Sequence, residues 1–105
     1  MPRKTQKLVE RPHVLSTIRS RLIAAGFLYV GHNLYRTSRY FARPGRPWRV
    51  RVSNHHMTDR NQQRSDQIVL SVVVSAMTHN QIEAAAGRIV EDYDAACAAK
   101  MESVT

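Results

Sequence analysis

The chain has 105 residues, 43% of them hydrophobic and 23% charged, with a formal net charge of +8. That size holds one domain with one modest core, and that composition excludes wholesale disorder. The single cysteine, Cys97, excludes an internal disulfide and fits a reducing compartment, while no apolar run approaches the ~18 residues of a membrane span and no signal-peptide hydrophobic region follows the basic start, so the expectation is a cytoplasmic protein without a membrane partner.

Residues 1–9 read as a flexible basic arm able to reach a phosphate backbone, residues 10–101 as a single α+β domain, and residues 102–105 as a disordered tail. A first helix is expected after Pro12, with Val14, Leu15, Ile18, Leu22 and Ala25 at helical spacing and Gly26 as the stop. From Phe27 to Ser53 the pattern changes to short β-rich runs: Phe27 to Val30, Tyr35 to Ala42 and Trp48 to Ser53. Gly31-His32-Asn33 and Pro44-Gly45-Arg46-Pro47 supply the turns. The third run alternates, with Val50 and Val52 on one face and Arg49, Arg51 and Ser53 on the other. Asn54 to Asp66 is polar and patternless and reads as an exposed loop. Gln67 to Ser75 alternates again and places Ile68, Leu70, Val72 and Val74 together as a fourth strand. The second helix opens on a capping box, Thr78 with Gln81, flanked by the staple residues Met77 and Ile82. Ile82, Ala85, Ala86, Ile89, Val90, Tyr93 and Cys97 then mark its buried stripe, and Glu83, Glu91, Asp92 and Asp94 its wet one. The order α-β-β-β-β-α predicts a two-layer α+β fold: an antiparallel sheet with both helices packed on one face and the other face open.

Charge is unevenly spread along this order. Fourteen of the sixteen Lys and Arg residues precede Ser65, against Glu10 and Asp59 alone. Arg36, Arg39, Arg43, Arg46, Arg49 and Arg51 lie within sixteen residues that also hold Tyr40, Phe41 and Trp48, with Tyr35 immediately before them. Cations interleaved with rings in this way suit a polyanion-binding surface. The expected contacts are Arg39, Arg43, Arg49 and Arg51 on the open face of two neighbouring strands, with Phe41 or Trp48 stacking on an exposed base. Arg36, Arg46, Arg19, Arg21 and the arm extend the site. Two other readings share the pattern: a solvated arginine face with Tyr40, Phe41 and Trp48 in the core, or docking on an acidic protein surface, which attracts the same field.

Catalytic equipment is sparse. His55 and His56 are adjacent and, with His32 and His79, lack the spacing of a metal site, so neither a metal nor a cofactor is expected. His55 is the residue held open as a general base or phosphate ligand at a strand end. Cys97 fits core packing and the glycines fit turns.

The helix Ile18 to Ala25 running into Gly26-Phe27, the strand and turn after it, Ser38 and Tyr40, the Pro44-Gly45 turn and Val50-Arg51-Val52-Ser53-Asn54-His55 together resemble the HicA-type toxins, whose fold is similar to double-stranded RNA-binding domains. The resemblance implies an RNA partner and, in its strongest form, an mRNA endoribonuclease. Where that family has Gly-Ser-His this chain has Thr37-Ser38-Arg39-Tyr40, so the position of the family's catalytic histidine holds Arg39 or Tyr40. Ser38, Tyr40, Gly45 and Arg51 to His55 also resemble small phage and mobile-element proteins carrying Ser-x-Ser-x-Tyr and Arg-Val-Ser-Asp-His, which implies a mobile-element setting. The leading expectation is therefore a non-enzymatic protein that grips nucleic acid, RNA before DNA. The alternatives are an anti-CRISPR-like inhibitor docking on an acidic protein or ribonucleoprotein surface, and a HicA-like ribonuclease. An uncovered strand edge also leaves room for a homodimer.

Overall fold

The computed structural model describes residues 7–34, 37–54 and 68–104, with side chains to Glu102. It has helix α1 (Arg11–Ala24), strands β1 (Leu28–His32), β2 (Ser38–Ala42), β3 (Arg49–Ser53) and β4 (Ile68–Val73), and helix α2 (His79–Val104), an α+β fold in the expected order. α2 runs three residues past the domain end expected at Met101. Val9, the last residue of the expected arm, is fastened by two backbone hydrogen bonds to Met77, of 2.7 and 3.2 Å.

α1 forms because Val14, Leu15, Ile18 and Leu22 make a continuous apolar stripe, all of it buried. Its end is a Schellman turn. Gly26 takes φ 98°, which lets Phe27 N–H donate to the Leu22 carbonyl at 2.9 Å while both side chains go into the core. α2 starts on the capping box: Thr78 N–H donates to Gln81 Oε1 at 2.9 Å and Gln81 N–H to Thr78 Oγ1 at 3.3 Å. Ile82, Ala86, Ile89, Tyr93 and Cys97 then line one buried stripe of it.

The strands follow the order β1-β2-β3-β4, and the sheet is mixed. β1–β2 and β2–β3 are antiparallel, whereas β4 runs parallel to β3, which corrects the all-antiparallel expectation. A parallel pair needs a crossover of about a dozen residues or more, and residues 54–67 supply that length. A register shift between Arg49 and Val50 modifies β4 as well. Leu70, Val72 and Val74 reach the core as expected, but Val69 joins them instead of Ile68.

One cluster joins both helices to one face of the sheet. Val14, Leu15, Ile18 and Leu22 of α1 and the α2 stripe meet Phe27, Phe41, Val50 and Val52. Tyr93 locks this core to the sheet's edge loop, donating its hydroxyl to the Trp48 carbonyl at 2.7 Å and taking Phe27 edge-on at 5.1 Å. Burial pushes the Tyr93 phenol up to about 12, helped by the neighbouring Cys97 and opposed by Arg46 and Arg43.

The fold therefore holds Tyr93 in its neutral form. Its contribution is complete below pH ~10, where an unfolded tyrosine ionises, and is lost as pH rises from there through about 12. Spectrophotometric titration should show a tyrosinate component ionising near pH 12 that Tyr93→Phe removes. The same substitution should lower stability by roughly 1 kcal/mol in neutral urea melts, the usual worth of one such hydrogen bond.

Candidate nucleic-acid interface

Strand alternation decides where the arginines go. Phe41 pairs with Val50 and Arg39 with Val52, and Phe41, Val50 and Val52 are all fully buried under the helices. Directly paired residues share a face, so Arg39 stands on the helix side of the sheet, and Arg43, two residues beyond Phe41, follows it there. Tyr40, Arg49 and Arg51 occupy the opposite face. The expected single surface of Arg39, Arg43, Arg49 and Arg51 is thus divided between the two faces.

Several expected contacts are engaged within the fold. Arg51 is only 6% exposed, and its Nε and Nη2 donate to Ser38 Oγ at 3.3 and 3.1 Å beside the Tyr40 ring. Arg43 donates to the Ala25 carbonyl at the end of α1 at 3.3 Å, lies 4.8 Å over the Phe27 ring, and faces Asp94 at 3.7 Å. Arg46 meets the same carboxylate at 3.9 Å. Arg21 is paired with Glu83 across the two helices. Phe41 is buried and Trp48 packs against the core beneath the Lys100 ammonium, 5.7 Å from its ring, so neither stands free for base stacking. Arg36 and His55 lie outside the described residues.

What remains is a group that the sequence reading did not bring together. Arg19 of α1 places its guanidinium 4.0 Å over the Tyr29 ring. The Tyr29 hydroxyl and His32 Nδ1 are 2.6 Å apart, and Arg39 Nη1 donates to that hydroxyl at 3.4 Å. Tyr29 and His32 are three residues apart and would point to opposite faces of a regular strand. The bulge between Tyr29 and Gly31 turns them to the same side, and His32 pairs with Arg39 across the ladder. Asn33 holds that end of the hairpin: its Oδ1 accepts from the backbone N–H groups of Thr37 at 2.8 Å and Ser38 at 3.0 Å, and its Nδ2 donates to Thr37 Oγ1 at 2.8 Å. Among the described residues, no carboxylate lies within ion-pair distance of Arg19, Arg39 or Arg49. The Arg39 Nε is buried without an acceptor.

Elsewhere, an open groove of about 490 Å³ is lined by Lys7, Leu8, Val9, Glu10, His13 and His79, a mixed set without convergent donors. Among the described residues no three His, Cys, Asp or Glu side chains gather as metal ligands, and no helix is long and apolar enough to cross a membrane. No family model, no curated protein and no solved structure matches the chain.

Asp94 is the acid that neutralises Arg43 and Arg46, and all three side chains are between 28% and 44% exposed. Asp94→Asn should therefore cost less than about 1 kcal/mol in urea melts. It should also shift elution from a heparin column to higher salt, because two guanidiniums lose their counter-charge.

Proposed function

We propose that the protein is a non-enzymatic nucleic-acid-binding module that grips phosphates, RNA in preference to DNA. The observation that carries this reading is the one-sided pairing of charge. The acids of α2 take up Arg21, Arg43 and Arg46. Arg19, Arg39 and Arg49 keep no carboxylate among the described residues, and Lys7 and Arg11 add to the same basic half. An unneutralised cationic field of this kind raises the local concentration of polyanions and steers them in. On this reading the favoured contacts lie on α1 and the adjoining end of the β1–β2 hairpin, away from the sheet face. The preference for RNA rests on the HicA-like motif, as does the ribonuclease alternative with His55. Docking on an acidic protein surface, the anti-CRISPR-like alternative, would draw on the same field.

Phosphate contacts release counterions, so affinity should fall steeply with salt, by a slope of about 0.7 to 0.9 per contact. Fluorescence anisotropy with a short RNA hairpin over a salt series should show this. Lys7→Ala with Arg11→Ala should weaken binding and reduce the slope by roughly 1.5. Arg43→Ala with Arg46→Ala should change it less, since Asp94 already faces both. A wild-type protein that shifts neither RNA nor DNA at low salt rejects the reading. A stoichiometric protein partner that survives nuclease treatment would transfer it to the acidic-surface alternative.

A further inference from the structure

We infer that Arg19, Tyr29, His32 and Arg39 form a seat for a single phosphate group, at the end of the β1–β2 hairpin where α1 crosses it. The inference rests on the nucleic-acid reading only for the source of that phosphate; the seat itself is argued from its geometry.

Two guanidiniums converge on one phenol. Arg19 lies over the ring at 4.0 Å, and Arg39 reaches the hydroxyl at 3.4 Å. A guanidinium has five N–H donors in a fixed planar fork, matched to phosphate oxygens. Among the described residues Arg39 spends one donor, in a long bond to Tyr29, and Arg19 none. Tyr29 also ties in His32. Its hydroxyl accepts from Arg39 and lies 2.6 Å from His32 Nδ1, a hydrogen bond that orients the imidazole whichever partner donates. That contact leaves Nε2 as the ring nitrogen not engaged by the tyrosine. The seat thus gathers two cations and an oriented imidazole around a hydroxyl, with no carboxylate of the described residues within ion-pair distance of either guanidinium. It is also built in advance. The β1 bulge turns Tyr29 and His32 to one side, Asn33 pins the turn beside them, and the Tyr29 ring packs on buried Phe41 at 5.6 Å. Bulges that re-aim side chains belong at binding sites more often than in plain ladders.

The probe is inorganic phosphate, added to full-length isotopically labelled protein and followed through the arginine Nε–H and histidine ring signals. Saturable shifts are expected at Arg19, Arg39 and His32, with Arg49 as the unaffected reference. Arg19→Gln, a change on the helix surface that leaves the core intact, should weaken phosphate binding by at least about tenfold, the cost of one charge-assisted hydrogen bond. Arg39→Gln should do the same in protein whose circular dichroism is unchanged. Tyr29→Phe keeps the ring under Arg19 but removes the hydroxyl that holds His32, and should lose the His32 response before the Arg19 one. Competition by 5′-phosphorylated and 5′-hydroxyl RNA oligonucleotides separates the sources: stronger displacement by the first marks a terminal phosphate, equal displacement an internal one. Shifts that fail to saturate, or that persist unchanged in Arg19→Gln, overturn the seat. If RNA binds while these three residues stay silent, the seat falls and the nucleic-acid reading stands; if phosphate binds and RNA does not, the seat stands alone.

Discussion

The fold turns on the pairing of β2 with β3, in which Phe41 lies opposite Val50 and both are buried beneath the helices. Side chains alternate along a strand, so fixing Phe41 inside also fixes its neighbours two residues away. Arg39 and Arg43 are carried to the helix side at either end of Phe41, while Tyr40 and Arg51 are sent to the other face. Neither arginine can enter the core as a bare charge. Each is left at a rim, where what it meets depends on which helix lies nearby. α1 packs on β1 and β2, and α2 packs on β4 and on α1. Arg43 meets the end of α1 and Asp94 of α2; Arg39 meets the β1 hairpin, with Arg19 of α1 beside the same tyrosine.

The helices were legible because their signals are local. The capping box of Thr78 and Gln81 and the glycine stop at Gly26 are each complete within a few residues, and both form as the pattern requires. β3 was legible in the alternation of Val50 and Val52 with polar residues, but the burial of Arg51 and Ser53 on the opposite face was not. In β2 the signal fails, since Tyr40 and Phe41 are adjacent aromatics and either register looks reasonable from the sequence. Only pairing with β3 decides between them, and that decision moves Arg39 and Arg43 off the face where a stacking site was expected. The direction of β4 was hidden because period-two alternation is identical in parallel and antiparallel strands. The length of residues 54–67 was the one available hint of a crossover.

The cluster around Tyr29 was harder to read for a different reason. It depends on a bulge, and a bulge reverses the facing of every residue beyond it. Counting from Tyr29 along a regular strand sends His32 to the far side. Gly31 is the residue type that marks such irregularities within strands, yet the turn it seemed to begin starts two residues later, at Asn33. Asn33 itself reads as an ordinary turn former. Its side chain instead bonds three groups of Thr37 and Ser38, closing the hairpin next to the His32–Arg39 pair.

The molecule contains two arginine pairs, and their difference bears on function. Arg43 and Arg46 share Asp94, so their mutual repulsion is answered by an acid built into α2. Arg19 and Arg39 share a neutral tyrosine. With Arg19 4.0 Å above the ring and Arg39 3.4 Å from its hydroxyl, two like charges sit beside one ring with no acid of the described residues between them, and they repel. A cation–π contact returns about 0.5 to 1 kcal/mol of that. The second pair is thus held beside a ring and not an acid, which leaves its attraction for an anion unspent. In the first pair that attraction is consumed on folding. In the second it stays available to a negatively charged group arriving from outside, which is the condition a preorganised binding site must meet.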